Sequence, residues 1–348
     1  MLVSLGLLQA QTASTTPVGY QTLTIKGSSD GSTPAFTALS VGFQTTSLYD
    51  GALTETTSSF VFTDSNASLV ADTYNALDPA GSSAYYLIFT SGANEGLILD
   101  IAGNTSTTIT CNSGYQSGGS FSAASGDTYS IRAYSKLADI FGATNTAGLK
   151  SGGNASSSDL IYVMSTDGNA SYTTYYYQTD NLGGILGGTG WRVLGDNSSD
   201  MSSIAIAPDD GLIVSRKASG DLDLVTSGVV KDSKHKRDLP AGYSLIAYPF
   251  PVSVTLADSN IYTADNGYVS GGNGSSSDLV YVISSDGSFT TYYRQTDSLG
   301  GILGGDGWRV FGDSSTSRDN EPIPAGSSII ILHRGSGLTW SDDLPYTL

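Results

Sequence analysis

Side chains that commonly act as nucleophiles, acid–base groups or metal ligands are scarce in this sequence, apart from aspartate. The 348 residues include two histidines, His235 and His333, and one cysteine, Cys111. A catalytic cysteine needs a base such as histidine to activate it, and one cysteine cannot form a disulfide within the chain. We therefore expect Cys111 to be a small buried hydrophobic residue of a strand.

Two short patterns could suggest a reaction or a metal site. Residues 27–31 read GSSDG and fit the G-x-S-x-G pattern, but their neighbours lack the helix that a nucleophile elbow requires, so we interpret the match as chance. No calcium loop of the D-x-D-x-D-G type occurs. We expect the pairs Asp221/Asp223 and Asp342/Asp343 to be solvated turn residues, and we predict no metal and no cofactor.

The sequence contains a long internal repeat. LGGILGGTGWR begins at Leu182 and returns as LGGILGGDGWR at Leu299, and SGGNASSSDLIYV at Ser151 returns as SGGNGSSSDLVYV at Ser270. Such self-similarity indicates an array of like units. The glycine stretch lacks the Lys-Ser/Thr ending of a phosphate-binding loop. We predict a structural loop in which Leu182, Ile185 and Leu186 fill the core.

Each repeat also predicts a β-hairpin, over 158–166 with 171–178 and over 277–285 with 288–295, the second turning at Asp286-Gly287. Side chains of a strand alternate between its two faces. Because Arg294 replaces Tyr177 in the second copy, we expect the face carrying Thr173, Tyr175 and Tyr177 to be exposed.

The composition predicts an all-β fold of tandem small β-sandwich or barrel domains, the last two being a sequence duplication. Aromatic residues are plentiful, with 21 Tyr, whereas charged residues are only 14% of the chain and Glu occurs three times. We expect a signal-like or donor-strand segment, an N-terminal β domain, a first β repeat, a basic linker and a second β repeat, at 1–17, 18–128, 129–230, 231–238 and 239–348.

The formal net charge of −17 argues against nucleic acid as a partner. The one basic run, 231–238, is expected to be an exposed linker. Alternatively, Lys234, Lys236 and Arg237 could dock onto an acidic surface of a neighbouring copy.

The N-terminal segment is apolar and too short to span a bilayer, so no transmembrane span is predicted. It resembles the end of a secretory signal peptide. Alternatively, it could add as a donor strand to a neighbouring subunit. Its apolar side chains, which are possible subunit contacts, are Leu2, Val3, Leu5, Leu7 and Leu8.

Several motifs together resemble a known family. These are VGYQTLTI from Val18, YYLIFTSGANEGL from Tyr85, the TYYY and GWRV blocks of the repeats, and LIVSR ending at Arg216. They are similar to an uncharacterised family of secreted β-rich proteins that occurs as many paralogues in verrucomicrobia and related bacteria. The resemblance implies an exported bacterial extracellular or cell-surface protein, and it transfers no catalytic residue.

Three functions fit these observations. The first is a non-enzymatic extracellular structural protein whose copies assemble into a filament, sheath or surface layer by β-strand complementation. The second is a glycan-binding adhesin. The third, least favoured, is a glycoside hydrolase, which needs two carboxylates about 5 to 10 Å apart. The possible glycan contacts are Tyr175, Tyr177, Trp191, Tyr292 and Trp308.

Overall fold

The computed structural model describes residues 16–114, 121–283, 288–297, 301–302 and 304–347. Within those residues the chain forms 24 β-strands, one five-residue α-helix and one 3₁₀ turn, which confirms the predicted all-β fold. The helix α1 spans Leu137–Phe141, and the 3₁₀ turn spans Ala155–Ser157.

The strands in chain order are β1 (Val18–Ile25), β2 (Ala35–Ser40), β3 (Ser47–Ala52), β4 (Val61–Thr63), β5 (Tyr85–Phe89), β6 (Ile98–Asn104), β7 (Thr108–Cys111), β8 (Thr128–Ala133), β9 (Ser135–Lys136), β10 (Leu160–Met164), β11 (Tyr172–Gln178) and β12 (Gly190–Val193). They continue with β13 (Ala205–Ile206), β14 (Gly211–Arg216), β15 (Leu222–Val229), β16 (His235–Leu239), β17 (Gly242–Ala247), β18 (Val254–Thr255), β19 (Leu279–Ile283), β20 (Phe289–Gln295), β21 (Gly307–Val310), β22 (Pro322–Ile323), β23 (Ser328–His333) and β24 (Leu338–Asp342).

Two units of the chain share one strand arrangement. Their five-stranded sheets have the orders β12-β11-β10-β14-β2 and β21-β20-β19-β23-β17. Each sheet is accompanied by two two-stranded sheets, β1-β15 with β9-β13 in the first unit and β16-β24 with β18-β22 in the second. Both predicted hairpins are present, as β10-β11 and β19-β20. The turn Asp286-Gly287 lies outside the described residues.

The strand pairing crosses the domain boundary expected near residue 128. β1 and β2 pair with β15 and β14 of the first unit, although they precede that boundary. Strands β3 to β8 form a separate six-stranded sheet in the order β3-β8-β5-β6-β7-β4. Residues 47–133 are therefore a domain inserted between the second and third strands of the first unit, and we call this segment the inserted domain.

The basic run is a strand and not an exposed linker. Residues His235–Leu239 form β16 and pair with β24 in antiparallel register. Lys231 and His235 are buried, and burial lowers the pKa of Lys231 to about 8. The expectation of an exposed linker was wrong because charge alone does not reveal that alternate residues of the run face a core.

Each part of the fold has its own hydrophobic core. Trp191 lies in the core of the first unit, Trp308 and Trp340 in that of the second, and Phe62 in that of the inserted domain. Cys111 is buried in the inserted domain, as predicted, and burial raises the pKa of its thiol. The two five-stranded sheets pack against each other through a smaller apolar cluster comprising Ala38, Met164, Ile213, Leu245, Ile283 and Ile330.

Asp342 is buried at the end of β24, whereas the sequence led us to expect a solvated turn residue. It accepts hydrogen bonds from the Tyr248 hydroxyl (3.1 Å) and the Asn260 amide (2.9 Å). Burial raises its pKa to about 6. The folded chain therefore holds a proton that the unfolded chain releases near pH 4, so this group's contribution to stability falls as the pH rises from about 4 to about 6.

We expect Asp342→Asn to remove that pH dependence and to raise the free energy of unfolding at pH 7 by about 1–2 kcal/mol, after allowance for partial solvation. Urea unfolding of variant and wild type at pH 4.5 and pH 7 measures the difference. Asp343→Asn, at an exposed neighbouring carboxylate, is the control. An Asp342→Asn variant that is destabilised equally at both pH values would contradict the prediction.

Candidate functional site

The five aromatic residues predicted to contact glycans are all buried, which excludes them as an exposed sugar-binding surface. Tyr175, Tyr177 and Trp191 lie in the core of the first unit. Tyr292 and Trp308 lie in the core of the second. The expectation that the Tyr175 face is exposed was therefore wrong.

Arg294 occupies the position that Tyr177 has in the first unit. Contacts within the second unit, and not exposure to solvent, accommodate it there. The Tyr177 ring packs edge-on against Trp191, with centroids 5.2 Å apart. In the second unit the Arg294 guanidinium lies 4.9 Å from the centroid of the Tyr262 ring and donates to the carbonyl of Gln295. A cation–π contact allows a charged residue to occupy this half-buried position.

The glycine-rich loop that follows β11 is organised by a buried arginine. Arg192 Nε donates to the carbonyl of Asn197 (2.8 Å), and Nη2 donates to those of Gly187 and Gly188 (3.0 and 3.1 Å). Asp180 accepts from the backbone amides of Leu182, Leu186 and Gly188. The loop thus satisfies its own polar groups, which explains the repeated motif without a bound phosphate.

The second unit repeats this arrangement. Arg309 donates to the carbonyls of Ser314, Gly304 and Gly305 at 2.9 to 3.0 Å. The prediction that Leu182 and Ile185 fill the core was wrong, and Leu186 is only half-buried. Leu182, Ile185 and the equivalent Ile302 are exposed.

A buried aspartate explains the second repeated motif. Asp159 Oδ2 accepts from Arg216 Nη1 (3.0 Å) and the Lys150 amide (2.7 Å), and Oδ1 accepts from the Lys217 amide (2.7 Å). Asp278 is held in the same way, with His333 Nδ1 at 2.7 Å in the place of arginine. The one histidine that lies beside a carboxylate is therefore part of a buried structural pair.

The predicted basic subunit contacts are engaged within the chain. Lys236 Nζ donates to Ala93 and Asn94 of the inserted domain, and Arg237 pairs with Asp210 (2.8 Å) of the first unit. Lys234 pairs with Asp343. The basic run therefore docks onto acidic and polar groups of its own chain, while Leu2, Val3, Leu5, Leu7 and Leu8 lie outside the described residues.

A cleft of about 380 Å³ lies where the inserted domain meets both units. Its carboxylate groups accept hydrogen bonds from, or form ion pairs with, other groups of the protein. The Tyr134 hydroxyl donates to Asp100 (2.5 Å), and Arg237 pairs with Asp209 and Asp210. Burial raises the pKa of Asp100, and that of Asp210 to about 6. No group of three or more metal-ligating side chains occurs among the described residues.

A second concavity, of about 450 Å³, lies between the hairpins of the two units. We call it the aromatic groove. It is lined by Met164, Ala170, Tyr172, Tyr243, Tyr281, Phe289, Thr291 and Ile330. The sequence analysis missed these residues, although the aromatic pair Tyr172 and Phe289 at equivalent strand starts was a usable signal.

One strand edge distinguishes the first unit from the second. β1 pairs with β15 over eight residues and with no other strand that the structure describes. The counterpart of β1 in the second unit is β16. On the edge of β16 that faces away from β24, Lys236 forms an isolated parallel bridge with Leu97 of the inserted domain. Gly96 makes this approach possible, because a Cβ there would lie 2.1 Å from the Lys234 carbonyl oxygen.

Family models, curated proteins and solved structures contain no match to this chain. Among the described residues, no helix has the length and apolar character needed to cross a membrane.

Proposed function

We propose that this chain is a non-enzymatic extracellular structural protein whose copies assemble into a filament, sheath or surface layer by β-strand complementation. The observation that carries the proposal is the edge of β1. In the second unit the inserted domain meets the equivalent edge at one isolated bridge, Leu97 to Lys236, whereas in the first unit no described strand meets it. Unpaired strand edges are templates for pairing with another chain.

The outer face of β1 supports the same proposal. Val18 is 71% exposed and Tyr20 80%, and Val225 of the paired strand β15 is also exposed. Residues 18–25 of this edge strand carry no charged side chain, and charged side chains are one of the features that normally prevent edge pairing.

The donor that we propose is the N-terminal segment of a second copy. Residues 1–17 carry no charged side chain, and in an extended strand Val3, Leu5 and Leu7 share one face. Backbone hydrogen bonds would supply affinity, and apolar contacts with Val18 and Tyr20 would fix the register.

We expect the full chain to form polymers and the double variant Val18→Lys/Tyr20→Lys to stay monomeric, because lysine on an edge strand opposes pairing. Sedimentation velocity and negative-stain electron microscopy measure the two states. Val70→Lys is the matched control, since Val70 is 75% exposed on the inserted domain, and this variant should polymerise normally.

Deletion of residues 1–15 tests the donor separately. Loss of polymers in the deletion variant supports the donor strand, whereas polymers that persist indicate that β1 edges pair with each other. A full chain that stays monomeric, or a lysine double variant that polymerises like the wild type, contradicts the proposed function.

A further inference from the structure

The aromatic groove is a shaped site and not a chance gap between the two units. Met164 and Ile330 form its buried floor, where the five-stranded sheets meet. Tyr172 is oriented by an edge-on contact with Tyr162 at 6.1 Å, and Tyr243 by a tilted contact with Tyr281 at 6.4 Å. The rings are therefore held in place before any ligand arrives.

None of the eight described residues that line the groove is charged, although the chain has 32 acidic and 15 basic residues. A charged ligand would find no counter-charge there. The lining is aromatic and also contains the hydroxyl groups of three tyrosines and Thr291. This combination matches a ring that has an apolar face and a hydroxylated rim.

The size of the groove favours a small ligand over a protein partner. Eight residues line it, whereas a stable protein–protein interface uses about 20–30 residues on each side. Its volume of about 450 Å³ lies within the range of about 300–1,000 Å³ that is usual for small-molecule sites.

We propose that the aromatic groove binds a neutral oligosaccharide, with pyranose rings stacked on Tyr172 and Phe289. These two rings come from equivalent strands, β11 and β20, so each unit contributes one stacking surface. Thr291 also lines the groove, and its hydroxyl group would be a hydrogen-bonding partner for the sugar, whereas the Tyr243 hydroxyl is hydrogen-bonded to Tyr281. This site is distinct from the β1 edge and does not depend on self-assembly.

Isothermal titration of the full chain with neutral hexasaccharides of glucose, xylose, mannose or N-acetylglucosamine tests the proposal. To keep the protein monomeric, the Val18→Lys/Tyr20→Lys background is used in parallel. We expect at least one sugar to bind, and Phe289→Ala and Tyr172→Ala each to weaken binding about tenfold. Phe289 is 54% exposed, so its removal leaves the core intact.

Phe311→Ala is the matched control, because Phe311 is 50% exposed but lies outside the groove, and its affinity should equal that of the wild type. Failure of every sugar to bind, or binding that Phe289→Ala and Tyr172→Ala leave unchanged, overturns the proposal. Binding of a peptide of residues 1–16 in place of the sugars also overturns it and assigns the groove to the N-terminal segment.

Discussion

Replacing Asp159 with alanine is expected to lower the free energy of unfolding by about 3–5 kcal/mol. The change leaves the Arg216 guanidinium buried without its carboxylate partner. It also removes the acceptor for the backbone amides of Lys150 and Lys217. A buried charge without a partner is among the most destabilising defects that one substitution creates.

Chemical denaturation at pH 7 measures this effect, and Asp278→Ala should cost a similar amount in the second unit. Arg216→His copies the arrangement of the second unit, where His333 lies beside Asp278. That variant should be much less destabilised than Asp159→Ala. Equal losses in the two variants would show that histidine cannot replace arginine beside Asp159, and would contradict the prediction.

Replacing Arg192 with leucine is expected to cost about 3 kcal/mol and to loosen the glycine-rich loop of the first unit. The guanidinium donates to the carbonyls of Gly187, Gly188 and Asn197. Gln178 Nε2 also donates to the last two, so the substitution leaves the Gly187 carbonyl without its side-chain donor. An unsatisfied buried acceptor costs about 1–3 kcal/mol.

Hydrogen exchange distinguishes loosening of the loop from general destabilisation. In Arg192→Leu we expect amides of residues 182–197 to exchange at least about tenfold faster, with the loop of the second unit unchanged. Arg309→Leu should give the reverse pattern. Exchange that rises equally in both loops would contradict the view that each arginine organises its own loop.

The local structure of the repeats could be predicted from the sequence, because it depends on neighbouring residues. The β-rich runs at 158–166 and 171–178 predicted the hairpin that β10 and β11 form. For the glycine-rich loop, the prediction that Leu182 and Ile185 fill the core was wrong. Its arginine was not identified, since Arg192 acts on carbonyl groups, which every residue possesses and no sequence motif marks.

Long-range pairing could not be predicted in the same way. β2 pairs with β14, so Ala35 lies opposite Arg216, and the whole inserted domain separates them in the chain. The segment YSIRAY at Tyr129 resembles YSLIAY at Tyr243, yet β8 belongs to the inserted domain and the counterpart of β17 is β2. The aromatic groove was also missed, since its lining comes from two units whose approach no local pattern specifies.

The inserted domain has a consequence for how this architecture could vary. It enters the first unit between β2 and β9, whereas the second unit joins the equivalent strands, β17 and β18, through residues 248–253 alone. Excising it and closing the chain with a short connection would leave nine strands in each unit. It would also uncover β16. If copies assemble through strand edges as proposed, such a molecule would offer two unpaired edges instead of one and could branch or grow in both directions.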